Sequence, residues 1–508
     1  MSRTLIKNAL IYDGTGEVPF YSDLVIEGTK IKKIAYKIAP HNGDEVIDAG
    51  GKALCPGFIN THSHLELEII KQPSLRSAIG QGITTEVFGQ DGSSVAPLTD
   101  ELVDELAENM APLAGRLDKP YYWRSFDEYE QAIADANPDV RSVGLVGHGT
   151  VRMNIIGSEN RKPTAVELEK MKALLRKCMD EGAKGMSLGL IYPPGSYADT
   201  DELIEMAKVV AEYDGLIMVH MRSESTNLIS AVEEMAKVVR ESGVRLQISH
   251  HKAMGKHSWG KVKETTAMID ELRAEDYDVT VDQYPWLAGC TGLKVCAPDW
   301  SFAGGDEGFR ARIADPKVYK QMLIETAEEI EARGGAKSIL ITTSITEEYG
   351  WISGKRLNEI AEHLGVTAEA AALQILDHEG SGVVAIYFYM SEEDVIHVMQ
   401  RPYHCVCTDS VVTPHPHPRA CGSFTKFLGE YVREKKVLPL QEAIRHITSE
   451  PARRLRLWDR GVIREGMDAD LVLFDPDEII NLNDYQNPTL GSKGIYGVWV
   501  LGKERYNR

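Results

Sequence analysis

The chain has 508 residues, of which 43% are hydrophobic, and its formal net charge is -20 at pH 7. This length predicts one large domain with appended parts, or several domains. The negative charge argues against nucleic-acid and anionic-membrane partners, which require a basic face, and no apolar run approaches the roughly 18 residues of a membrane span.

The first residues lack the uninterrupted apolar stretch of a signal peptide. The seven cysteines are odd in number and scattered along the chain. Both features predict a cytoplasmic protein without a disulfide framework. Cys405 and Cys407 flank Val406, but no second cysteine pair accompanies them, so a zinc ribbon is not indicated.

The two ends of the chain share one pattern. Residues 1–54 contain short alternating strands broken by turn signals such as YDGTGE, and residues 460–508 resume that pattern. We expect these two segments to form one small β-sandwich domain.

Residues 55–459 alternate short β-branched runs with helical patterns, which is typical of an α/β fold with a parallel sheet. Three-and-four spacing predicts helices over 163–182 and 224–243. Eight such units predict a TIM (β/α)8 barrel, whose functional residues collect at the carboxyl ends of the strands. The predicted strands end near His64, Gly89, His148, Leu190, His220, His250, Tyr284 and Asp409.

The stretch at about 285–400 is too long for a single connection between barrel elements. It contains its own predicted helix around 318–333 and strands in KSILITTS and VVAIYFY. We expect an inserted subdomain near the active-site face, where it acts either as a lid or as a purely structural insertion.

Several of the predicted strand ends carry potential metal ligands. His62 and His64 alternate in PGFINTHSHLE, so their side chains project to the same side of an extended chain. His220, His250 and Asp409 end three further apolar runs. Any one of these residues alone is typical of a surface or capping position, but together they match the ligands that zinc prefers. The set predicts a hydrolytic metal centre.

Such a centre suits attack on an unactivated amide. A divalent metal lowers the pKa of a bound water to about 7 and polarises a carbonyl oxygen. Asp409 is the predicted base, taking a proton from the water and returning it to the departing amine. The alternatives for Asp409 are a plain metal ligand or a turn-capping residue.

With these motifs the chain resembles the amidohydrolase superfamily and, within it, the N-acyl-D-amino-acid deacylases, also called D-aminoacylases. The resemblance runs from PGFINTHSHLE through GLIYPPGSYADTDEL, HMRSE and SHHK to TDS, HPHPR and GMDADLVLFD. It implies a TIM barrel with a small β-sandwich. It also implies a zinc-dependent hydrolase that cleaves an N-acyl-D-amino acid to a D-amino acid and a carboxylate.

The resemblance further implies specific roles for these residues. His220 and His250 hold a tightly bound zinc, His62 and His64 contribute to a second, weaker metal position, and Asp409 is the base. Tyr192 and Lys252 contact the substrate carboxylate, which a hydroxyl and an ammonium group suit. The resemblance places four more residues close by: Arg152, Arg222, Cys290 and Arg419.

Structural roles remain open for several of these residues. Arg222 and Arg419 are equally compatible with structural ion pairs, and Cys290 with simple packing. His148 and His251 are expected behind the site or in the core rather than as direct ligands.

The chain departs from the resembled family at one ligand. Family members present a cysteine in NCG after the second strand, whereas this chain reads GQDG with Asp91 at that position. We expect Asp91 to be the metal ligand, with Glu86 on the same strand as the alternative. The carboxylated lysine of many superfamily relatives has no match, since Ser187 occupies its place and Lys184 aligns poorly. Because a carboxylate is a harder donor than a thiolate, the number and identity of the metals stay open.

Other functions remain as alternatives. A cyclic amidase of the dihydroorotase or hydantoinase kind would share the barrel and the metal, but the missing lysine and the HMRSE and SHHK motifs argue against it. An unusual dipeptidase is a further possibility, and a non-catalytic scaffold is disfavoured because every ligand is retained. The expected partner is a small N-acyl amino acid, and an oligomer is possible. Residue types do not decide the D preference, the side chain or the acyl group.

Overall fold

The computed structural model of the protein describes residues 3–103, 110, 114–115 and 123–507. Its central feature is a set of parallel strands, which we number β1 to β8. They are Phe58–Asn60 (β1), Ile83–Phe88 (β2), Arg141–Gly144 continued by Val146–Gly147 (β3), Gly185–Gly189 (β4), Leu216–His220 (β5), Arg245–Ile248 (β6), Val279–Gln283 (β7) and His404–Val406 (β8).

Each of these strands pairs with its neighbour in chain order. β1, β2 and the first part of β3 form one sheet, and the second part of β3 continues through β4 to β8 in another. β8 returns to β1 through a parallel bridge between Ser63 and Ser410. The Asp409 N–H also donates to the His62 carbonyl (2.9 Å). The predicted α/β class with parallel strands is confirmed, and all eight carboxyl ends lie on one side.

The observed strand ends differ from the predicted ones by no more than four residues. The largest difference is at β1, which ends at Asn60, so His62 and His64 lie beyond the strand. The bridge at Ser63 sits between these two histidines. Asp409 likewise lies three residues after the end of β8. The potential ligands are therefore carried by turns that follow the strands.

Helices follow and cover the parallel strands. The helix Ala165–Asp180 begins with a capping box between Thr164 and Glu167, and Leu228–Ser242 ends at Gly243 in the left-handed conformation. Their buried apolar residues belong to one core cluster with residues of β4, β5 and β6, and both agree with the predicted helices apart from their ends. None of the helices in the described ranges combines the length and apolar character needed to span a membrane.

The α-helices are Glu68–Lys71, Arg76–Ile79, Phe126–Ala136, His148–Ile156, Ala165–Asp180, Thr200–Glu212, Leu228–Ser242, Val262–Ala274, Gly305–Ile313, Pro316–Ala332, Leu357–Leu364, Ala368–Glu379, Glu392–Met399, Arg419–Lys426, Leu440–Ile447 and Ser449–Arg454. A π-helix covers Phe427–Glu434, and short 3-10 turns cover Gly195–Tyr197, Lys256–Ser258, Leu293–Cys296, Asp299–Phe302, Ala336–Ser338 and Gly350–Ile352.

Both termini contribute to a separate eight-stranded sheet. Its strands are Arg3–Ile11, Phe20–Glu27, Lys30–Ala35, Glu45–Asp48, Ala53–Pro56, Leu471–Phe474, Ile495–Val500 and Lys503–Asn507. The two chain ends join where Leu471–Phe474 pairs antiparallel with Ala53–Pro56. Arg3–Ile11 pairs with Phe20–Glu27, Glu45–Asp48 and Ala53–Pro56, so the pairing links all eight strands. Their packing as a β-sandwich stays a prediction. The short strands Ile480–Asn481 and Ser492–Lys493 pair separately.

The predicted insert contains a small antiparallel sheet. Its strands run in the order Gly289–Gly292, Val384–Tyr387, Ile339–Ile341. The helix Pro316–Ala332 lies where the sequence predicts one, capped by Asp315. Residues of this insert line the cavity at the carboxyl ends of the parallel strands.

Candidate metal centre and substrate cavity

Asp91 lies at the centre of the four predicted histidine ligands. Its Oδ1 is 3.6 Å from His62 Nε2 and 3.5 Å from His250 Nε2. Its Oδ2 is 3.4 Å from His64 Nε2 and 3.8 Å from His220 Nδ1. Each carboxylate oxygen thus faces one histidine of the HxH pair and one histidine from β5 or β6.

Asp409 completes the group from the opposite side. Its Oδ1 is 3.7 Å from His62 Nε2 and 3.6 Å from His64 Nε2. Its Oδ2 is 2.9 Å from Arg419 Nη1. The potential ligand atoms therefore form two overlapping clusters that share Asp91: one with His62, His64 and Asp409, and one with His220 and His250.

Three of these residues have a left-handed backbone. The φ angles are 54° at Asp91, 36° at His250 and 46° at Asp409. Such conformations cost about 1–3 kcal/mol each in ordinary residues and cluster at functional sites. The turn at His250 is held by its N–H, which donates to the buried Asp282 Oδ1 (2.6 Å). Tertiary contacts of this kind stabilise left-handed turns whose side chains converge on one point.

The buried polar atoms of the site match the requirements of a metal. Within the described ranges, both ring nitrogens of His62 and of His220, together with Asp91 Oδ1, are buried without a hydrogen-bond partner. Buried polar atoms normally have a partner. Imidazole nitrogens and carboxylate oxygens in this number fit a divalent cation such as zinc.

The charges of the site also favour a cation. Burial opposes protonation of His64, but Asp409 and Asp91 outweigh it and raise its pKa to about 10. Burial likewise opposes ionisation of Asp409, but the Arg419 guanidinium and His64 outweigh it and lower its pKa. The two carboxylates therefore stay ionised and attract positive charge to the space between them.

A cavity of about 480 Å³ opens from these ligands toward solvent. Two groups of residues form it. The strand-end wall comprises His64, Asp91, Tyr192, His220, Glu224, His250, Lys252, Tyr284, Asp409 and Arg419. The insert wall comprises Cys290, Thr291, Val295, Ala297, Pro298, Asp299, Trp300, Glu325, Glu329, Arg333, Tyr387 and Tyr389.

Comparison with known proteins decides the family. The amidohydrolase family matches residues 45–299 and 397–506, which is more than half of the chain. The chain belongs to this family. The match omits residues 300–396, which lie within the predicted insert.

Two relatives that match almost the whole length of this amidohydrolase are deacylases. Over 98% of its length the chain is 33% identical to an N-acyl-D-aspartate deacylase of Alcaligenes xylosoxydans xylosoxydans, 91% of which is covered. It is also 33% identical to an N-acyl-D-glutamate deacylase of the same organism, with coverage of 98% and 92%. The chain is also similar to a crystal structure of an N-acyl-D-glutamate deacylase from Bordetella bronchiseptica, which contains zinc and a phosphonate mimic of the tetrahedral intermediate. The TM-score is 0.85 and the sequence identity 33%. The match covers 99% of this chain and 96% of that one. The predicted resemblance is confirmed.

Three predicted substrate residues of the amidohydrolase lie on the strand-end wall. The Tyr192 ring packs against His220 with 5.1 Å between centroids, and its hydroxyl is 3.5 Å from Thr291 Oγ1. Burial raises the pKa of Tyr192, so its hydroxyl stays protonated. Lys252 is buried, and Arg419 stacks on Tyr284 at 4.6 Å from the ring centroid. Cys290 lies on the insert wall, and its carbonyl accepts from Arg419 Nη2 (3.4 Å).

The other two predicted arginines are engaged elsewhere. Arg222 lines the cavity, but its guanidinium donates to both oxygens of Glu234 and to the carbonyls of Ser196 and Ala198. Arg152 is buried outside the cavity lining, where its Nε donates to Glu202 Oε1 (2.9 Å). Its Nη1 also donates to the Pro194 carbonyl (3.4 Å), two residues from Tyr192, and its closeness to the substrate stays a prediction.

The alternative ligands of the sequence analysis lie outside the metal centre. Glu86 accepts from Asn60 Nδ2 (2.6 Å). Lys184 precedes β4 and lines a separate pocket with Glu130. Ser187 accepts from the Gly92 N–H (3.0 Å), next to Asp91. Of the two spare histidines, His148 contacts Glu202 and His251 contacts Thr265, each through a side-chain hydrogen bond.

Sequence reasoning overlooked Glu224 and Tyr284. Glu224 is buried and its Oε1 lies 2.9 Å from His250 Nδ1 and 2.6 Å from Lys252 Nζ. The Tyr284 hydroxyl is buried in the cavity wall, with no hydrogen-bond partner among the described residues. The only available signal was position: Glu224 ends HMRSE, and Tyr284 follows β7.

Proposed function

We propose that this amidohydrolase is a zinc-dependent deacylase that hydrolyses N-acyl-D-amino acids to a D-amino acid and a carboxylate. The observation that carries the proposal is the arrangement around Asp91: four histidines and two carboxylates cluster there, and all of them except His62 line a cavity that also contains Lys252, Tyr192 and Arg419. The similarity to N-acyl-D-amino-acid deacylases over almost the whole chain supports the same chemistry.

The ligand atoms fit one or two zinc ions. The tighter zinc position would be formed by His220 Nδ1, His250 Nε2 and Asp91. The weaker zinc position would be formed by His62, His64 and the same Asp91. When bound, the metal would lower the pKa of a water and polarise the amide carbonyl.

Asp409 is the proposed proton carrier. Arg419 occupies its Oδ2, which leaves Oδ1 directed toward His62 and His64. Because its pKa is lowered, Asp409 is ionised and can accept a proton from the attacking water. It then gives that proton to the amine nitrogen as the C–N bond breaks.

The substrate carboxylate is proposed to bind between Lys252, Tyr192 and Arg419. The first and last are cationic, and the Tyr192 hydroxyl is a donor, so all three suit an anion. The insert wall then faces the amino-acid side chain, with Cys290 beside Arg419, whose Nη2 donates to the Cys290 carbonyl (3.4 Å).

The parallel strands are proposed to close as a (β/α)8 barrel. The bridge between Ser63 and Ser410 and the hydrogen bond from Asp409 N–H to the His62 carbonyl join the last strand to the first. Closure places the ligands of β1 and β8 side by side, as the two contacts between Asp409 and the HxH histidines require.

An amine-release assay tests the function. Metal-analysed protein is given matched N-acetyl-D and N-acetyl-L amino acids, together with dihydroorotate and a hydantoin. Release from the D series alone is the expected result. Ring opening without release from open-chain amides would move the protein to the cyclic amidases, and release from the L series would overturn the proposed stereochemistry.

A further inference from the structure

Glu224 is held firmly between the loops that follow β5 and β6. Its side chain lines the cavity but is buried. Its backbone carbonyl accepts from the Met254 N–H (2.7 Å), and the neighbouring Ser225 hydroxyl donates to the Met254 carbonyl (3.1 Å). These bonds fix the position of the carboxylate relative to both loops.

The carboxylate of Glu224 lies behind both histidines from β5 and β6. Its Oε1 is 2.9 Å from His250 Nδ1, and its Oε2 is 3.8 Å from His220 Nε2. In each ring the other nitrogen faces Asp91. A histidine that ligates through one nitrogen carries its proton on the other. His250 Nδ1–H therefore donates to Glu224 when Nε2 holds a metal.

The same carboxylate also holds Lys252. The Lys252 ammonium is 2.6 Å from Glu224 Oε1 and 2.9 Å from His250 Nδ1. With Nδ1 protonated, the ammonium and the ring N–H are both donors, so their close approach is unfavourable without an acceptor between them. Glu224 Oε1 is that acceptor. A lysine charge beside a ligand of a dication would otherwise weaken metal binding.

We propose that Glu224 is a positioning residue that allows a metal-ligating His250 and a cationic, substrate-binding Lys252 to lie side by side. It orients His250 through Nδ1 and offsets the charge of Lys252 with one oxygen atom. The role given to Lys252 rests on the proposed function, whereas the effect of Glu224 on the metal does not.

Zinc affinity tests this role without any substrate. Metal-stripped proteins are titrated with zinc in competition with a chromophoric chelator. Glu224→Gln is expected to weaken zinc binding by about 10- to 100-fold, the usual effect of losing a partner of a ligating histidine. Lys252→Met should retain zinc binding, and the double variant should recover most of the loss because the unbalanced lysine charge is gone.

Glu202→Gln is the matched control. Glu202 is also a buried carboxylate that contacts a histidine and a cation, His148 and Arg152, each at 2.9 Å, but it lies outside the cavity lining. Its substitution should lower thermal stability and leave zinc affinity at the wild-type value. If Glu224 had only a structural role, both glutamine variants would lose thermal stability and keep wild-type zinc affinity.

Two results would overturn the proposal: wild-type zinc affinity in Glu224→Gln, or a double variant that binds zinc no better than Glu224→Gln. If Glu224→Gln does not fold, Lys252→Met is compared with the double variant. The double variant is then expected to bind zinc only slightly more weakly than Lys252→Met, because it loses the orientation of His250 but carries no unbalanced lysine charge. Equal affinity, or a loss of about tenfold or more, overturns the proposal. If the zinc affinities of the variants follow the expected order but the wild-type enzyme does not hydrolyse N-acyl-D-amino acids, only the proposed function is contradicted.

Discussion

The strand-end wall and the insert wall of the cavity hold their charged groups in different ways. On the strand-end wall, Asp409 is paired with Arg419 and Glu224 with Lys252, and all four side chains are buried. On the insert wall, Asp299 is exposed and Arg333 pairs with a half-exposed Glu329. Burial makes the first set dependent on exact partners, since an unpaired buried charge is costly.

From this difference we infer that the strand-end wall serves metal binding and proton transfer and that the insert wall serves substrate choice. The buried pairs of the strand-end wall keep ionised groups at fixed positions, which proton transfer and metal binding require. The insert wall presents aliphatic, aromatic and charged side chains, including Val295, Tyr387 and Arg333, to the outer cavity. We expect substitutions on the first wall to change the chemistry and substitutions on the second to change substrate choice.

Metal removal should have the largest effect. Chelation is expected to abolish turnover, and zinc should restore it, because both clusters of ligand atoms meet at Asp91. Zinc at 100 times its Kd should stabilise the fold by about 2.7 kcal/mol. Activity assays and thermal unfolding before and after zinc addition measure both effects. Full turnover in protein shown to be metal-free by elemental analysis would contradict a metal-dependent strand-end wall.

Asp409→Asn should lower kcat by about 10²- to 10⁴-fold, the contribution of a positioned acid–base group. Zinc at His220 and His250 should be largely retained. Steady-state kinetics with elemental analysis measure both quantities. The same change on the insert wall, Asp299→Asn, serves as the control and should act on KM rather than kcat. Retained turnover in Asp409→Asn would remove Asp409 as the base.

Val295→Phe should change substrate choice. The larger ring narrows the outer cavity, so kcat/KM for N-acetyl-D-amino acids with long side chains is expected to fall by about tenfold or more relative to N-acetyl-D-alanine. The ratio of the two kcat/KM values is the measurement. Val166→Phe, at a position 67% exposed on the surface, is the control. Loss of zinc in Val295→Phe would contradict the claim that the insert wall affects substrate choice and not metal binding.

Glu86→Gln should have the smallest effect on catalysis and should act on stability alone. Burial raises the pKa of Glu86 from its ordinary value of 4.5 to about 8. The folded state keeps a proton that the unfolded chain releases across this interval, so the free energy of unfolding falls as pH rises from about 4.5 to about 8.

In Glu86→Gln the free energy of unfolding should decrease less over this pH range, because the amide mimics the protonated acid. Urea unfolding at about pH 5 and about pH 8 measures the change. The exposed Glu264→Gln provides the control. An unchanged pH dependence in Glu86→Gln would show that Glu86 is ionised in the folded protein.

The ligand histidines were predictable because they follow strands. Strand periodicity and the HxH spacing located His62, His64, His220 and His250 without any tertiary information. The choice of Asp91 was less determined, since Glu86 is another carboxylic acid only five residues earlier in the chain. Only the left-handed turn at Asp91 directs one of these carboxylates to the histidines and leaves the other on Asn60.

The charge pairs were not predictable. Arg152 and Arg419 are both buried cations, yet one pairs with Glu202 outside the cavity lining and the other with Asp409 beside the metal ligands. Glu224 reaches Lys252 from a different loop, 28 residues earlier in the chain. Nothing in the local sequence distinguishes these partners, because pairing depends on which loops meet in space.

The sequence by itself determined the parallel strands and the types of potential ligand at their ends, because these follow from local periodicity and residue chemistry, and the resemblance of its motifs indicated the family. The tertiary structure alone decided that Asp91 lies within reach of all four histidines, that Glu224 contacts both His250 and Lys252, and that the insert supplies the outer cavity wall. The physical reason is that burial and pairing of charges arise between segments far apart in the chain, where a short sequence pattern carries no information about distance.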